Sequence, residues 1–135
     1  MGIALAVAVA IHVVTLLFDK FVSFNVIDVL VPFASNYRPV EVAGLSIGSA
    51  WVAFGVLALY TLAVIIVTSL VFIDRAPQTW RLLHYLTYLV LVLVFFHALM
   101  VGTDLSGGIL RWAWILMGIV IVGAIAVRVR RARSL

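Results

Sequence analysis

The stretch WRLLHYLTYLVLVLVFFHALMVGTD, Trp80 to Asp104, decides the fold. Its central twenty residues, Leu82 to Val101, carry no formal charge at neutral pH. A helix needs ~20 apolar residues to cross a bilayer core. Two histidines, His84 and His97, lie inside this run. Imidazole within a membrane span is costly, and by default marks function. Thirteen residues separate the two rings, or ~20 Å along a helix axis. They therefore sit near opposite faces and cannot ligate one metal together.

The rest of the chain extends this reading. Of its 135 residues, 67% are hydrophobic and only 10% are charged, well beyond the apolar share of a soluble domain. The expected fold class is all-α, an integral membrane four-helix bundle forming a single transmembrane domain over residues 1–135. Spans are predicted near 2–18, 46–74, 79–102 and 109–128. The first run lacks the basic flank of a secretory signal peptide. The second is long for a ~30 Å core, so it either tilts or leaves its first turns outside. Between them, Asp19 to Leu45 is only half polar, with Phe21, Phe24, Val26, Ile27, Val29, Leu30, Val31 and Phe33 interrupted by Pro32 and Pro39. Such a segment lies at the interface or folds back over the helix ends.

Cysteine is absent, which excludes disulfides, cysteine-ligated clusters and thiol catalysis. The net charge of +4 comes largely from Arg128, Arg130, Arg131 and Arg133 after the last span. A membrane anchor explains that tail more simply than nucleic-acid binding. Basic residues near span ends set orientation. Arg75, Arg81 and the four tail arginines fall on one side, against Lys20, Arg38 and Arg111 on the other. Six against three places both termini in the cytoplasm and the long loop outside.

The third histidine, His12, lies in the first span. It precedes Asp19 by seven residues, as His97 precedes Asp104 by seven. Both rings are then expected ~10 Å below the outer exit. Two imidazoles at equal depth on two helices suit an axially bis-ligated haem. Hydrogen-bonded packing or a proton relay are the other uses of such residues. Zinc fits less well, since structural sites want four protein ligands and no buried carboxylate or cysteine accompanies the histidines. His84 lacks a histidine partner at its depth and lies close to Arg81, which suits an interfacial residue equally well.

An ordered set of motifs resembles the bacterial ferric reductase-like transmembrane family. It comprises Val31-Pro32-Phe33-Ala34-Ser35-Asn36-Tyr37-Arg38-Pro39, Thr68-Ser69, Trp80-Arg81 with His84, then His97 and Gly102-Thr103-Asp104. That family is related to the membrane domains of ferric reductases, NADPH oxidases and the haem subunit of methionine sulfoxide reductase systems. The resemblance implies b-type haems held between two helices, each carrying two histidines 13 or 14 residues apart. His84 and His97 fit one such pair, and His12 fits the outer member of the other. The inner partner of His12 would fall before Met1, which implies a chain starting partway along a family helix. One haem b is expected, ligated by His12 and His97. A second, at His84, would need a ligand from elsewhere. Arg38 and Arg111, both on the outer side, are the candidates for binding the propionates of the His12–His97 haem, although Arg111 also suits ordinary snorkelling. Thr15, one turn beyond His12, is positioned to orient that ring or to bond its own backbone.

The implied role is transmembrane electron transfer in a bacterial cytoplasmic membrane, as the haem component of an oxidoreductase. Membrane lipid surrounds the chain, and a partner subunit or oligomer is compatible with it. No nucleotide-binding glycine motif is present, so a cytoplasmic reductase or a quinol would supply electrons. Catalysis by this chain alone is not implied. The alternative is a cofactor-free structural or assembly subunit of a membrane complex, its histidines packed against neighbouring helices.

Overall fold

The computed structural model describes residues 2–20, 22–46 and 48–133. Phe21, Ile47 and the side chain of Arg133 lie outside the described part. The described chain is helical apart from one small hairpin. In order it comprises α1 (Gly2–Leu17), α2 (Val26–Leu30), β1 (Glu41–Val42), β2 (Leu45–Ser46), α3 (Ala50–Phe72), α4 (Pro77–His84), α5 (Leu86–Val101) and α6 (Gly108–Arg133). The strands pair antiparallel, Glu41 opposite Ser46 and Val42 opposite Leu45. Three helical stretches are long and apolar enough to cross a membrane: Ala50–Phe72, Pro77–Val101 and Gly108–Arg131. The chain is thus a membrane protein by the length and composition of its helices. α1 is apolar but, at sixteen residues, shorter.

By its contacts the chain divides into two units, residues 1–97 and 98–135. The first is built on α3, which supplies most of the buried apolar residues: Val52, Ala53, Val56, Ala58 and Ile65. Its start is the best-secured point of the unit. Helix N-termini leave N–H groups without intrahelical partners. Ser49, fully buried, accepts from the Val52 N–H through Oγ at 3.1 Å and donates its own N–H to the Ser35 carbonyl at 2.8 Å. Gly48 makes that approach possible. Its φ is +75°, and a Cβ there would stand 2.1 Å from the Phe33 carbonyl oxygen. Its own carbonyl accepts from Val40 at 2.9 Å.

The loop before α3 reaches back to the start of that helix, where Ser35 and Ser49 bond, one of the two placements its apolar residues allow. Asn25 and Asp28 form a reciprocal capping box at the start of α2, a local device that satisfies two N–H groups. Val29 is buried, and the Leu30 carbonyl accepts from the Tyr60 hydroxyl at 2.6 Å. α3 itself starts at Ala50 rather than at the expected 46, with Ser49 as its N-cap.

At the other end of α3, Trp80 of α4 donates Nε1–H to Ser69 Oγ at 3.1 Å. Pro77 opens α4 at a position where its missing N–H costs nothing. The predicted third span is not one continuous helix: it breaks at Tyr85. There Tyr85 N bonds Leu82 O at 3.2 Å and Tyr88 N bonds Tyr85 O at 3.1 Å, the tight spacing of a 3₁₀ turn.

In the second unit, Gly102 N bonds Ala98 O at 2.9 Å, Leu105 N bonds Gly102 O, and Ser106 N bonds Thr103 O. Gly108 turns the chain into α6 with a φ of +70°. α6 runs through the predicted end at 128 as far as Arg133, so the arginine tail continues the helix.

These caps generate a prediction. Ser49→Ala should lower stability by about 0.5–2 kcal/mol, the usual cost of losing an N-cap side chain. Gly48→Ala should cost more, because the added carbon meets a backbone oxygen and the left-handed φ penalises it. Thermal unfolding in detergent, followed by circular dichroism, measures both. A Gly48→Ala protein as stable as wild type would refute this account of the loop.

Candidate functional site

The unit over residues 1–97 brings two of the three histidines together. His12 stands on α1 and His97 on α5, and their ring centroids are 6.4 Å apart with planes at 86°. The two residues singled out by the aspartate spacing are thus neighbours in space. His12 is exposed and His97 partly buried.

The two rings are held differently. His97 Nδ1 lies 2.8 Å from the Trp51 carbonyl oxygen. A carbonyl only accepts, so this contact is a hydrogen bond in the tautomer with the proton on Nδ1, which leaves Nε2 of the neutral ring its lone pair. Metal-ligating histidines are commonly oriented in this manner, with the second nitrogen donating to a carbonyl. Gly55, one turn further along α3, faces the same imidazole. Thr15 donates its hydroxyl to the His12 main-chain carbonyl at 2.8 Å. Of the two roles open to Thr15, it takes the backbone one, which is common for threonine in helices.

Whether the pair suits a metal between its rings is a matter of lengths. Metal–imidazole bonds of about 2.0–2.1 Å, as found for zinc, and ~1 Å from nitrogen to ring centre give ~6 Å between centroids. The observed centroid separation is close to that span, with the rings meeting edge-on. Among the described residues no group of three or more histidine, cysteine or acidic side chains converges. A metal held here would need its remaining ligands from another source, which a porphyrin supplies.

The other expected residues lie elsewhere. His84 closes α4 and is exposed, its ring stacked on Trp80 at 4.9 Å and 30°. Ser69, Trp80 and His84, three residues of the motif set, therefore form one chain of contacts at the far end of α3 from Trp51. Arg38 is in the loop with a φ of +51°, its guanidinium 5.4 Å from the centre of the Tyr37 ring. Arg111 belongs to the second unit, where it donates to the Leu105 carbonyl at 3.1 Å.

Sequence reasoning missed Trp51 and Gly55. The Trp51 contribution is a main-chain carbonyl, which no side-chain pattern reports. Gly55 did offer a signal: glycine inside a helix costs about 1 kcal/mol against alanine. Its presence in an apolar run calls for a packing reason. Comparison of the chain with protein-family models, with curated proteins and with solved structures found no match.

The pair can be checked without any cofactor. The chain has no cysteine, so introduced pairs are unique. A His12→Cys/His97→Cys protein should cross-link intramolecularly with a short bifunctional thiol reagent. His12→Cys/His84→Cys should not, since His84 lies ~20 Å down the third span from His97. Equal cross-linking of both pairs would contradict the closeness of positions 12 and 97.

Proposed function

We propose that this chain is a transmembrane electron-transfer protein that binds one b-type haem between α1 and α5, with His12 and His97 as axial ligands. The observation that carries the reading is the His12–His97 pair at 6.4 Å with the His97 Nδ1–H held on the Trp51 carbonyl. Haem bound there would supply one-electron chemistry, and the protein's levers on it are ligands, hydrogen bonds and burial. His97 offers Nε2 with its tautomer set by Trp51. His12 offers the second imidazole from α1. Arg38 is the candidate in unit 1 for a propionate. The resemblance to ferric reductase-like transmembrane proteins supports the same pairing.

In this reading α1 is a fourth span and the bundle has four helices, in a bacterial cytoplasmic membrane with both termini in the cytoplasm. Orientation rests on the arginine distribution. The Ser69–Trp80–His84 cluster then marks the cytoplasmic side, where a reductase or quinol is the candidate donor, and its electrons have ~20 Å to cross to a haem at His97. His84 is the place for a second haem only if another chain supplies its partner. The alternative, a cofactor-free assembly subunit, uses the Trp51 bond for packing alone.

A dithionite-minus-oxidised spectrum of protein produced with ample haem separates the two. Wild type should show a low-spin six-coordinate spectrum with about one haem per chain. His12→Ala and His97→Ala should each abolish it, while His84→Ala leaves it largely unchanged. Absence of a Soret band in wild type would remove the cofactor reading. Orientation is tested apart from this. A cysteine at position 38 should react with an impermeant thiol reagent from outside the cell, and labelling solely from the cytoplasm would reverse the topology.

A further inference from the structure

Gly55 is where α3 meets the His97 ring. A Cβ at this position would stand 2.6 Å from Cε1, 2.7 Å from Nδ1 and 3.1 Å from Nε2 of the imidazole. Real Cβ atoms do not sit so close, so any side chain at 55 displaces the ring. The Trp51 carbonyl that accepts from His97 Nδ1 belongs to the residue four before Gly55. It is also the carbonyl toward which the Gly55 N–H points in an α-helix. The imidazole therefore lies against bare backbone at the one turn that also supplies its hydrogen-bond acceptor. Gly123, in α6, provides a contrast: a Cβ built there meets nothing.

We propose that Gly55 is the positioning residue for His97: its lack of a side chain lets the ring reach the Trp51 carbonyl, which fixes the proton on Nδ1 and leaves Nε2 free to bind. The proposal rests on the haem reading only for what Nε2 binds. Holding the tautomer needs no cofactor. A glycine that served helix packing alone would behave otherwise, because alanine is the better helix former and its substitution would leave the imidazole as it was.

The test is ¹⁵N NMR of histidine-labelled protein in detergent, without haem, His97 being assigned from the spectrum of His97→Gln. Wild-type His97 should be the Nδ1–H tautomer. Gly55→Ala should lose it, with Nδ1 leaving the protonated range, and Gly123→Ala should retain it. With haem added, Gly55→Ala should lose the cofactor or turn from low-spin to high-spin, while Gly123→Ala stays low-spin. A wild-type His97 protonated on Nε2 overturns the proposal, as does a Gly55→Ala protein with the wild-type tautomer. Should Gly55→Ala fail to accumulate, the wild-type tautomer still decides, Nδ1–H supporting the proposal and Nε2–H overturning it. The two readings fail separately. A tautomer lost in Gly55→Ala from a protein that never takes up haem keeps the positioning role and sinks the cofactor. Haem bound alike by wild type and Gly55→Ala, with one tautomer in both, does the reverse.

Discussion

A helix leaves the N–H groups of its first turn without intrahelical partners, and burial removes the water that could replace them. In this chain the problem falls on α3, and Ser49 meets it with Oγ on one side and its own N–H on the other. Much of unit 1 follows from that arrangement. The loop must come close enough for Ser35 to offer its carbonyl, which Gly48 permits. α2 is then carried to a place where Tyr60 can hold the Leu30 carbonyl. Further along, the same helix receives His97 at Trp51 and Trp80 at Ser69. These two contacts, near opposite ends of α3, require the following chain to run antiparallel to it. α3 is thus the reference against which both the histidine pair and the tryptophan–histidine stack are placed.

The composition made the membrane class and the long apolar helices legible, because few other environments tolerate such runs. The histidine pairing was legible for a comparable reason: an imidazole is rare enough in an apolar span for its depth to carry information. His12 and His97 share a spacing to an aspartate, and their rings are neighbours. The capping box at Asn25 and Asp28 could have been read too, since its residue types and spacing are local. What the sequence did not disclose are features made by backbone. The Trp51 carbonyl has no side-chain signature, and the positive φ of Phe33, Arg38 and Ala43 is adopted by residues that do not advertise it. Nor does any proline or glycine mark the break at Tyr85. What does change across it is composition, from the mixed polar and apolar residues of α4 to the uniformly apolar α5.

His97 also shows how little polar chemistry an apolar bundle needs to define an orientation. One carbonyl and one missing side chain act on the ring from the same turn of α3. The first attracts Nδ1 and the second removes the obstacle to its approach. Neither alone would hold the imidazole: a carbonyl behind a methyl group is out of reach, and a gap without an acceptor leaves the ring free to turn. His84 has a different support, the face of Trp80, which restrains its plane without selecting the protonated nitrogen.

The break at Tyr85 has a consequence for the lipid. Beyond it α5 has sixteen residues, ~24 Å of helix, against a hydrocarbon core of ~30 Å. α4 carries Gln78, Thr79, Arg81 and His84 beside Trp80, a composition suited to the headgroup region. The ~6 Å that α5 lacks alone is available from α4, since Pro77–Val101 together is long enough to cross; any residual mismatch costs a fraction of a kcal/mol per Å. Thickness is therefore not a neutral property of the host membrane. A thin bilayer accepts α5 at its natural length, whereas a thick one pulls on the Tyr85 turn and, through it, on the ledge where Trp80 and His84 sit.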